Sequence, residues 1–227
     1  MGDDNLIEII GDVHGCVNTL EKLYEAVIKD CNNIYSVGDL VDRGNFSKEV
    51  IEFFIEKNIK AVRGNHEDML LKAIELPDTE IFRGSGSFLD LYFDNGGAFT
   101  QKSYIDSTGK KDFYNFNEDI KKRNHYEYLN SFPFTIEFRK VIISHAGIKR
   151  GRNALNYLWN REIPDELDMI QIFGHTPQSR IKFKPGHYIN VDTGCVYGDS
   201  LSAVLVNSIT GELIKTYSVH TDNKDIY

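Results

Sequence analysis

Three short apolar runs in the first third of this chain each end in a glycine-flanked polar cluster, and that pattern leaves few folds open. Leu6–Ile10 runs into Gly11-Asp-Val-His-Gly15, Ile34–Val37 into Gly38-Asp-Leu-Val-Asp-Arg-Gly44, and Ile59–Val62 into Gly64-Asn-His-Glu67. After each cluster the apolar residues recur at helical spacing, as Val17, Leu20, Leu23 and Val27, then Val50 to Ile55, then Met69 to Ile74. Repetition of strand, turn and helix predicts right-handed parallel βαβ units, whose ligands gather at the carboxyl ends of the strands. Each polar cluster falls at such an end.

The pattern changes between about Pro77 and Phe132, where aromatic and charged residues surround an Asp94-Asn-Gly-Gly97 turn and a polar helix is expected near Glu118 to Leu129. This stretch reads as an inserted cap within one domain spanning 1–227. Strand-like runs return at Val141–Ile143, Ile170–Phe173 and Tyr188–Val191, and a closing hairpin is expected from Ala203–Val206 and Leu213–Val219 around Thr210-Gly211. The cap's Phe88, Tyr92, Phe93, Phe99 and Tyr104 are expected to form its own core.

Net charge is −8, which argues against a protein held by nucleic-acid backbones and requires local positive charge for any anionic substrate. The cysteines, Cys16, Cys31 and Cys195, are odd in number and lack metal-type pair spacing, so a reducing cytoplasm is the expected setting. No basic leader and no membrane-length apolar run is present.

Asp, His and Asn donors held by glycine turns suit Mn, Fe or Zn. Two later histidines sit in matching positions, His145 after Val141–Ile143 and His175 after Ile170–Phe173. Taken singly, Asp12 or Asp39 is as well explained by helix capping, and a lone strand-end histidine by an ordinary hydrogen bond. Combination favours metal, because four of the seven histidines fall in such motifs at strand ends of one sheet system. His125, His187 and His220 have no such setting and read as structural or solvent-facing. Cys16 is not surrounded by a phosphate-cradling loop and reads as a packing residue, not a nucleophile.

In this order the motifs resemble those of the phosphoprotein phosphatase family of metallophosphoesterases, in its bacterial and bacteriophage lambda branch. The resemblance spans Gly11 to about Gly198 and extends to Val-Asp-Thr-Gly at 191–194 and Trp159-Asn-Arg-Glu162. It implies a calcineurin-like α/β fold, a β-sandwich of two mixed sheets flanked by helices with a small inserted cap. It also implies two divalent metal ions, Mn foremost, with Fe, Zn, Ni or Co as alternatives. Asp12, His14 and Asp39 would hold the first, and Asp39, Asn65, His145 and His175 the second. An anionic bridge is needed, since two dications about 4 Å apart repel by ~17 kcal/mol at an effective dielectric of about 20.

By the same resemblance a bridging hydroxide attacks phosphorus, His66 protonates the leaving group and Asp42 orients His66, while Arg43, Arg161 and Arg63 bind phosphate. The implied substrate is a phosphoserine or phosphothreonine protein, with phosphotyrosine as an extension. The alternative is symmetrical cleavage of diadenosine tetraphosphate or another dinucleoside polyphosphate. Relatives of that kind commonly carry Asp where this chain has Glu67, and commonly lack an acid at Asp42. Retention of every ligand argues against a non-catalytic phosphate-binding module, and the acidic balance against an RNA-end hydrolase.

Overall fold

A computed structural model describes residues 5–81, 86–105, 112–150 and 156–226. Two five-stranded mixed sheets pack face to face. The first has the order β10-β9-β1-β2-β3, from Leu213–His220, Ser200–Asn207, Leu6–Ile10, Ile34–Ser36 and Lys60–Ala61. The second is β4-β5-β6-β8-β7, from Thr135–Glu137, Val141–Ser144, Ile170–Phe173, Tyr188–Asn190 and Lys182–Lys184. β1, β2 and β3 run parallel, as do β5, β6 and β8, while β9, β10, β4 and β7 pair antiparallel.

Period-two alternation decides what each strand buries. Ile7 and Ile9 of β1 join Val141, Ile143, Ile172, Ile189 and Val204 in a core between the sheets. Ile10 turns the other way, into a larger cluster with Leu20, Leu23, Phe54 and Leu70 under the helices. Those helices are α1 (Val17–Val27), α2 (Ser47–Glu56) and α3 (Asn65–Glu75). α1 buries Leu20, Leu23 and Val27, the stripe its spacing predicts.

Four expectations need correction. The strand-end motifs belong to two sheets, not one, because β5 and β6 pair with each other and not with β1 to β3. The third helix begins at Asn65, so Asn65 and His66 occupy its first turn and not the loop before it. The expected cap contains four helices among its described residues: α4 (Phe88–Asp94), α5 (Gly97–Ser103), α6 (Phe113–Lys122) and α7 (His125–Asn130). The single polar helix expected there is divided at Asn124, whose φ of 60° interrupts the turn. Residues 82–85 and 106–111 of the stretch lie outside the described residues. Tyr92, Tyr104, Phe116, Ile120 and Leu129 share one apolar cluster with α1 to α3, so the region has no separate core. Among the described residues no helix is long and apolar enough to cross a membrane.

Candidate metal centre

The carboxyl ends of β1, β2, β5 and β6 meet at one end of the sandwich. Asp12, His14, Asp39, Asn65, His66 and His175 line a cleft of about 470 Å³ there, with Arg43, Arg161, Asn95, Trp159, Asp192 and Tyr197 also in its walls. Local backbone strain marks the same place. Seven described non-glycine residues have positive φ, and five of them are His14, Asp39, Asp42, Arg43 and His175. Such conformations cost of order 1–3 kcal/mol each and persist where surrounding structure imposes them. Neighbouring glycines leave room for the ligands. A Cβ on Gly64 would lie 2.1 Å from Asp39 Oδ1, and one on Gly174 would lie 1.9 Å from Asp12 Oδ1.

Glu67 fixes this geometry from behind. Its carboxylate accepts hydrogen bonds from the backbone N–H groups of Asp39 (2.9 Å), Leu40 (2.7 Å) and Gly64 (2.9 Å). It holds the second and third motif loops together and is fully buried. Burial, and then the Asp39 carboxylate, push its acid up to about 7, against the three N–H donors.

The donor set fits cations. His145 Nδ1 lies 2.9 Å from the Val37 carbonyl and His14 Nδ1 lies 2.8 Å from that of Val41. A carbonyl only accepts, so each Nδ1 carries the hydrogen and each Nε2 presents a lone pair to the cleft. His145 Nε2 then faces Asn65 Oδ1 at 2.8 Å, His175 Nδ1 at 3.1 Å and Asp39 Oδ2 at 3.3 Å. Lone pairs crowded in this way repel unless a positive charge lies among them. Two groups emerge, Asp39 with His145 and His175, and Asp39 with His14 and His66. Asp39 is common to both. Asp12 sits in the cleft wall, where its carboxylate accepts from the His175 N–H at 3.0 Å.

Burial pushes the imidazoles of His14, His145 and His175 down, the last to about 3, so all three remain neutral ligands near pH 7. Burial alone would raise Asp39, but His145, His66 and His14 hold it well below the usual carboxylate range. Asp12 is raised, first by burial and then by Asp192 and Asp39. An uncompensated group of carboxylates is the ordinary signature of a cation site.

His66 is oriented by a chain of hydrogen bonds. Its Nδ1 lies 2.7 Å from Asp42 Oδ2, Thr100 Oγ1 donates to Asp42 Oδ1 at 2.6 Å, and Asp42 N donates to Thr100 Oγ1 at 2.8 Å. His66 Nε2 is buried with no hydrogen-bond partner among the described residues, as is His175 Nε2. Thr100 lies on α5, and no motif in the sequence singled it out. Asn95, Asp192 and Tyr197 were equally missed as cleft residues. The Asp94–Gly97 turn and the Val191–Gly194 run were the signals that lay beside them.

Arg43 donates to His14 Nε2 at 2.9 Å, and its guanidinium lies 5.8 Å from the Tyr197 ring. Arg161 is exposed at the mouth. Arg63 is elsewhere: it donates to the Asn130 carbonyl and side-chain oxygens at 2.6 and 3.0 Å and packs 5.3 Å from Phe134. It does not line the cleft, and these contacts tie it to the end of α7. Cys16 is buried, and its thiol is pushed up by contact with the Cys195 thiol and by burial, which removes it as a nucleophile. His125 meets the Tyr104 hydroxyl at 2.7 Å and His187 the Pro164 carbonyl at 2.9 Å, while His220 contacts the Asp199 carbonyl. None of these three lines the cleft.

A two-sheet sandwich with buried histidine and carboxylate groups at its strand ends defines a metal-dependent hydrolase of phosphoric esters. The chain belongs to the calcineurin-like phosphoesterase family, whose family model matches residues 7–209. Among its relatives, serine/threonine-protein phosphatase 2 of Escherichia coli (strain K12) is 34% identical over 219 residues, covering 86% of this chain and 90% of that protein. The asymmetrical bis(5'-nucleosyl)-tetraphosphatase PrpE of Oceanobacillus iheyensis is 28% identical over 236 residues, covering 87% of each. In fold, a crystal structure of a putative diadenosine tetraphosphatase superposes with a TM-score of 0.63 at 22% identity, covering 98% of this chain and 97% of that one.

Proposed function

We propose that this metallophosphoesterase hydrolyses phosphoserine and phosphothreonine in proteins, with two Mn ions as its metals. The observation that supports this most is the convergence of the two candidate ligand groups on Asp39, one of which includes His66, whose Nε2 has no hydrogen-bond partner among the described residues. Asp12, His14 and Asp39 would hold one ion, and Asp39, Asn65, His145 and His175 the other. Bound there, the ions would act as Lewis acids toward phosphate and ease deprotonation of water at neutral pH.

The chain's own groups then divide the remaining work. Arg43 and Arg161 line the same cleft, and a planar guanidinium can pair with two phosphate oxygens while balancing charge that builds during transfer. His66 turns Nε2 into the cleft because Asp42 occupies Nδ1, which supports its assignment as the group that would protonate the leaving oxygen. Asp42 orients the ring and Thr100 orients Asp42. The three free thiols support the reducing, cytoplasmic setting expected from the sequence.

A second reading, hydrolysis of dinucleoside polyphosphates, is supported by the near full-length likeness to the O. iheyensis protein. Metal-loaded protein assayed on phosphoserine peptides beside diadenosine tetraphosphate separates the two. Dominant peptide turnover is expected, whereas strong dinucleotide turnover with negligible peptide turnover would replace the first reading by the second. Its products would distinguish symmetrical cleavage to two ADP from asymmetrical cleavage to ATP and AMP. Full metal content without para-nitrophenyl phosphate turnover would instead indicate a binding module.

A further inference from the structure

The metal cleft does not end at its own rim. Arg161 is a wall shared with an adjoining cleft of about 370 Å³, which also contains Gln178 and Lys182. Gln178 and Lys182 in turn line a third, more open groove along 178–183, where Arg180 stands. Three basic side chains therefore follow one another outward from the metal centre. All three are exposed, and none makes an ion pair among the described residues. Carboxylates are scarce along the same path. Glu162 is the one acid lining these two outer clefts, and Lys149 lies 3.4 Å from it.

In a chain of net charge −8, an uncompensated row of cations opening from a phosphate site is an electrostatic guide for more negative charge. Lysine on an exposed edge strand can also serve only to discourage pairing with another chain. Lys184, next along β7 and bonded to Glu166 at 2.9 Å, fits that purpose. Lys182 differs because it shares a cleft with Arg161.

We propose that Arg180 and Lys182, continuing from Arg161, form a subsite for a linear polyphosphate chain, holding phosphate groups beyond the one being cleaved. The proposal rests on reading the metal cleft as the place of phosphoester hydrolysis and, of the two substrate readings, on the dinucleoside polyphosphate one, since a phosphoserine or phosphothreonine peptide carries no linear polyphosphate. It adds substrate-selecting residues that touch neither the metal ligands nor the scissile phosphate. Each charge-assisted contact at a partly exposed position is worth about tenfold in binding.

The test compares wild type with the Arg180→Ala, Lys182→Ala double variant, both positions being exposed. With metal-loaded protein, kcat/KM on para-nitrophenyl phosphate should stay within about twofold, since that substrate carries one phosphate. Diadenosine tetraphosphate should lose about 10- to 100-fold in kcat/KM, mainly through KM, and inhibition by inorganic tripolyphosphate should weaken by a similar factor while inhibition by orthophosphate does not change. Equal tripolyphosphate inhibition of both proteins overturns the subsite. Selective loss on acidic phosphopeptides, with tripolyphosphate inhibition unchanged, overturns it in favour of an acidic peptide. A wild type inactive on para-nitrophenyl phosphate removes the reading of the metal cleft instead. Calorimetric binding of tripolyphosphate to the two proteins, which needs no turnover, then still supports the subsite if it differs and overturns it if it does not.

Discussion

Asp225 is third from last among the 227 residues and is nevertheless fully buried. Its carboxylate accepts four hydrogen bonds: from Asn18 N (3.0 Å), Asn18 Nδ2 (2.7 Å), Thr19 N (2.8 Å) and Thr19 Oγ1 (2.6 Å). These donors open α1, whose own capping position is Cys16 and makes no side-chain cap bond. A carboxylate more than 200 positions away thus performs the capping that Ser, Thr or Asp ordinarily performs locally. The tail also reaches the second motif loop, where Asn45 N donates to the Asp225 carbonyl at 2.9 Å. It straps together the loops that carry His14 and Arg43.

Asp225→Ala removes a cap worth about 0.5–2 kcal/mol and leaves the buried Thr19 N–H without its acceptor, a further ~1–3 kcal/mol. The two effects overlap, so about 3 kcal/mol is expected. For a chain of this length each kcal/mol moves Tm by roughly 2–4 °C, giving a fall of about 6–12 °C. Asp225→Asn keeps the shape and one acceptor oxygen and should lose about half as much. Urea titrations followed by circular dichroism, with matching thermal melts, measure both variants. An Asp225→Ala protein melting within about 2 °C of wild type would refute the idea that the tail caps α1, because no other acceptor at that helix start replaces it among the described residues.

Four further outcomes follow from the same geometry. Asp39→Asn should lose metal, measured by elemental analysis after desalting, together with a kcat loss on the order of 10³, since one carboxylate serves both ligand groups. His66→Asn should retain its metals and lose ~10²–10⁴ in turnover of an alkyl phosphate; near-normal turnover would overturn its assignment as proton donor, and lost metal would make it a ligand. Glu67→Ala leaves three buried N–H groups unanswered and should cost roughly 3 kcal/mol in urea along with weaker metal retention, whereas substitution of a merely specificity-determining residue would leave stability intact. Glu8, buried in the middle of β1, has its acid pushed up to about 8 by burial, with Asp30 adding to the rise. Its folded pKa exceeds the unfolded value of 4.5, so its contribution is fully present below that value and is lost as pH rises through about 8. Glu8→Gln should therefore gain stability relative to wild type between pH 5 and pH 8.5, and a constant difference between urea midpoints across that range would refute it.

How far the sequence discloses the site depends on the range of the forces that build it. Asp12, His14, Asp39, Asn65, His145 and His175 are legible because each immediately follows an apolar strand run, and strand ends are where backbone direction alone delivers side chains to a common edge. Asp42 and Arg43 are legible for a similar reason, in a loop bounded by Gly38 and Gly44. Division into two sheets is not legible from periodicity. β3 has two residues and β4 and β7 three each, too short to alternate visibly. Nor does local pattern reveal which strand pairs with which, and it was the family resemblance, not the spacing, that supplied two sheets.

The residues that escaped notice share a different property: their partners are distant in sequence and their own neighbourhoods are ordinary. Thr100 reaches Asp42 across 58 positions, and Asp225 reaches Thr19 across 206. Glu67 stands out in the sequence only through the family resemblance, and nothing in its neighbourhood shows that a glutamate at N3 of α3, which caps Gly64 locally, also binds Asp39 and Leu40. In each case a single polar side chain closes a loop that hydrophobic burial leaves open. Buried donors and acceptors must be matched one for one, so such contacts tolerate little substitution although no pattern announces them. Loops of positive φ such as those carrying His14, Asp39 and Asp42 are poorly held by their own backbone, and long-range ties collect around them. Thr100→Val makes the point testable: it keeps the packing of α5 but deprives Asp42 of its donor, and it should reduce turnover by ~10-fold with metal content unchanged. Equal turnover would mean that Asp42 holds His66 without help from the cap region.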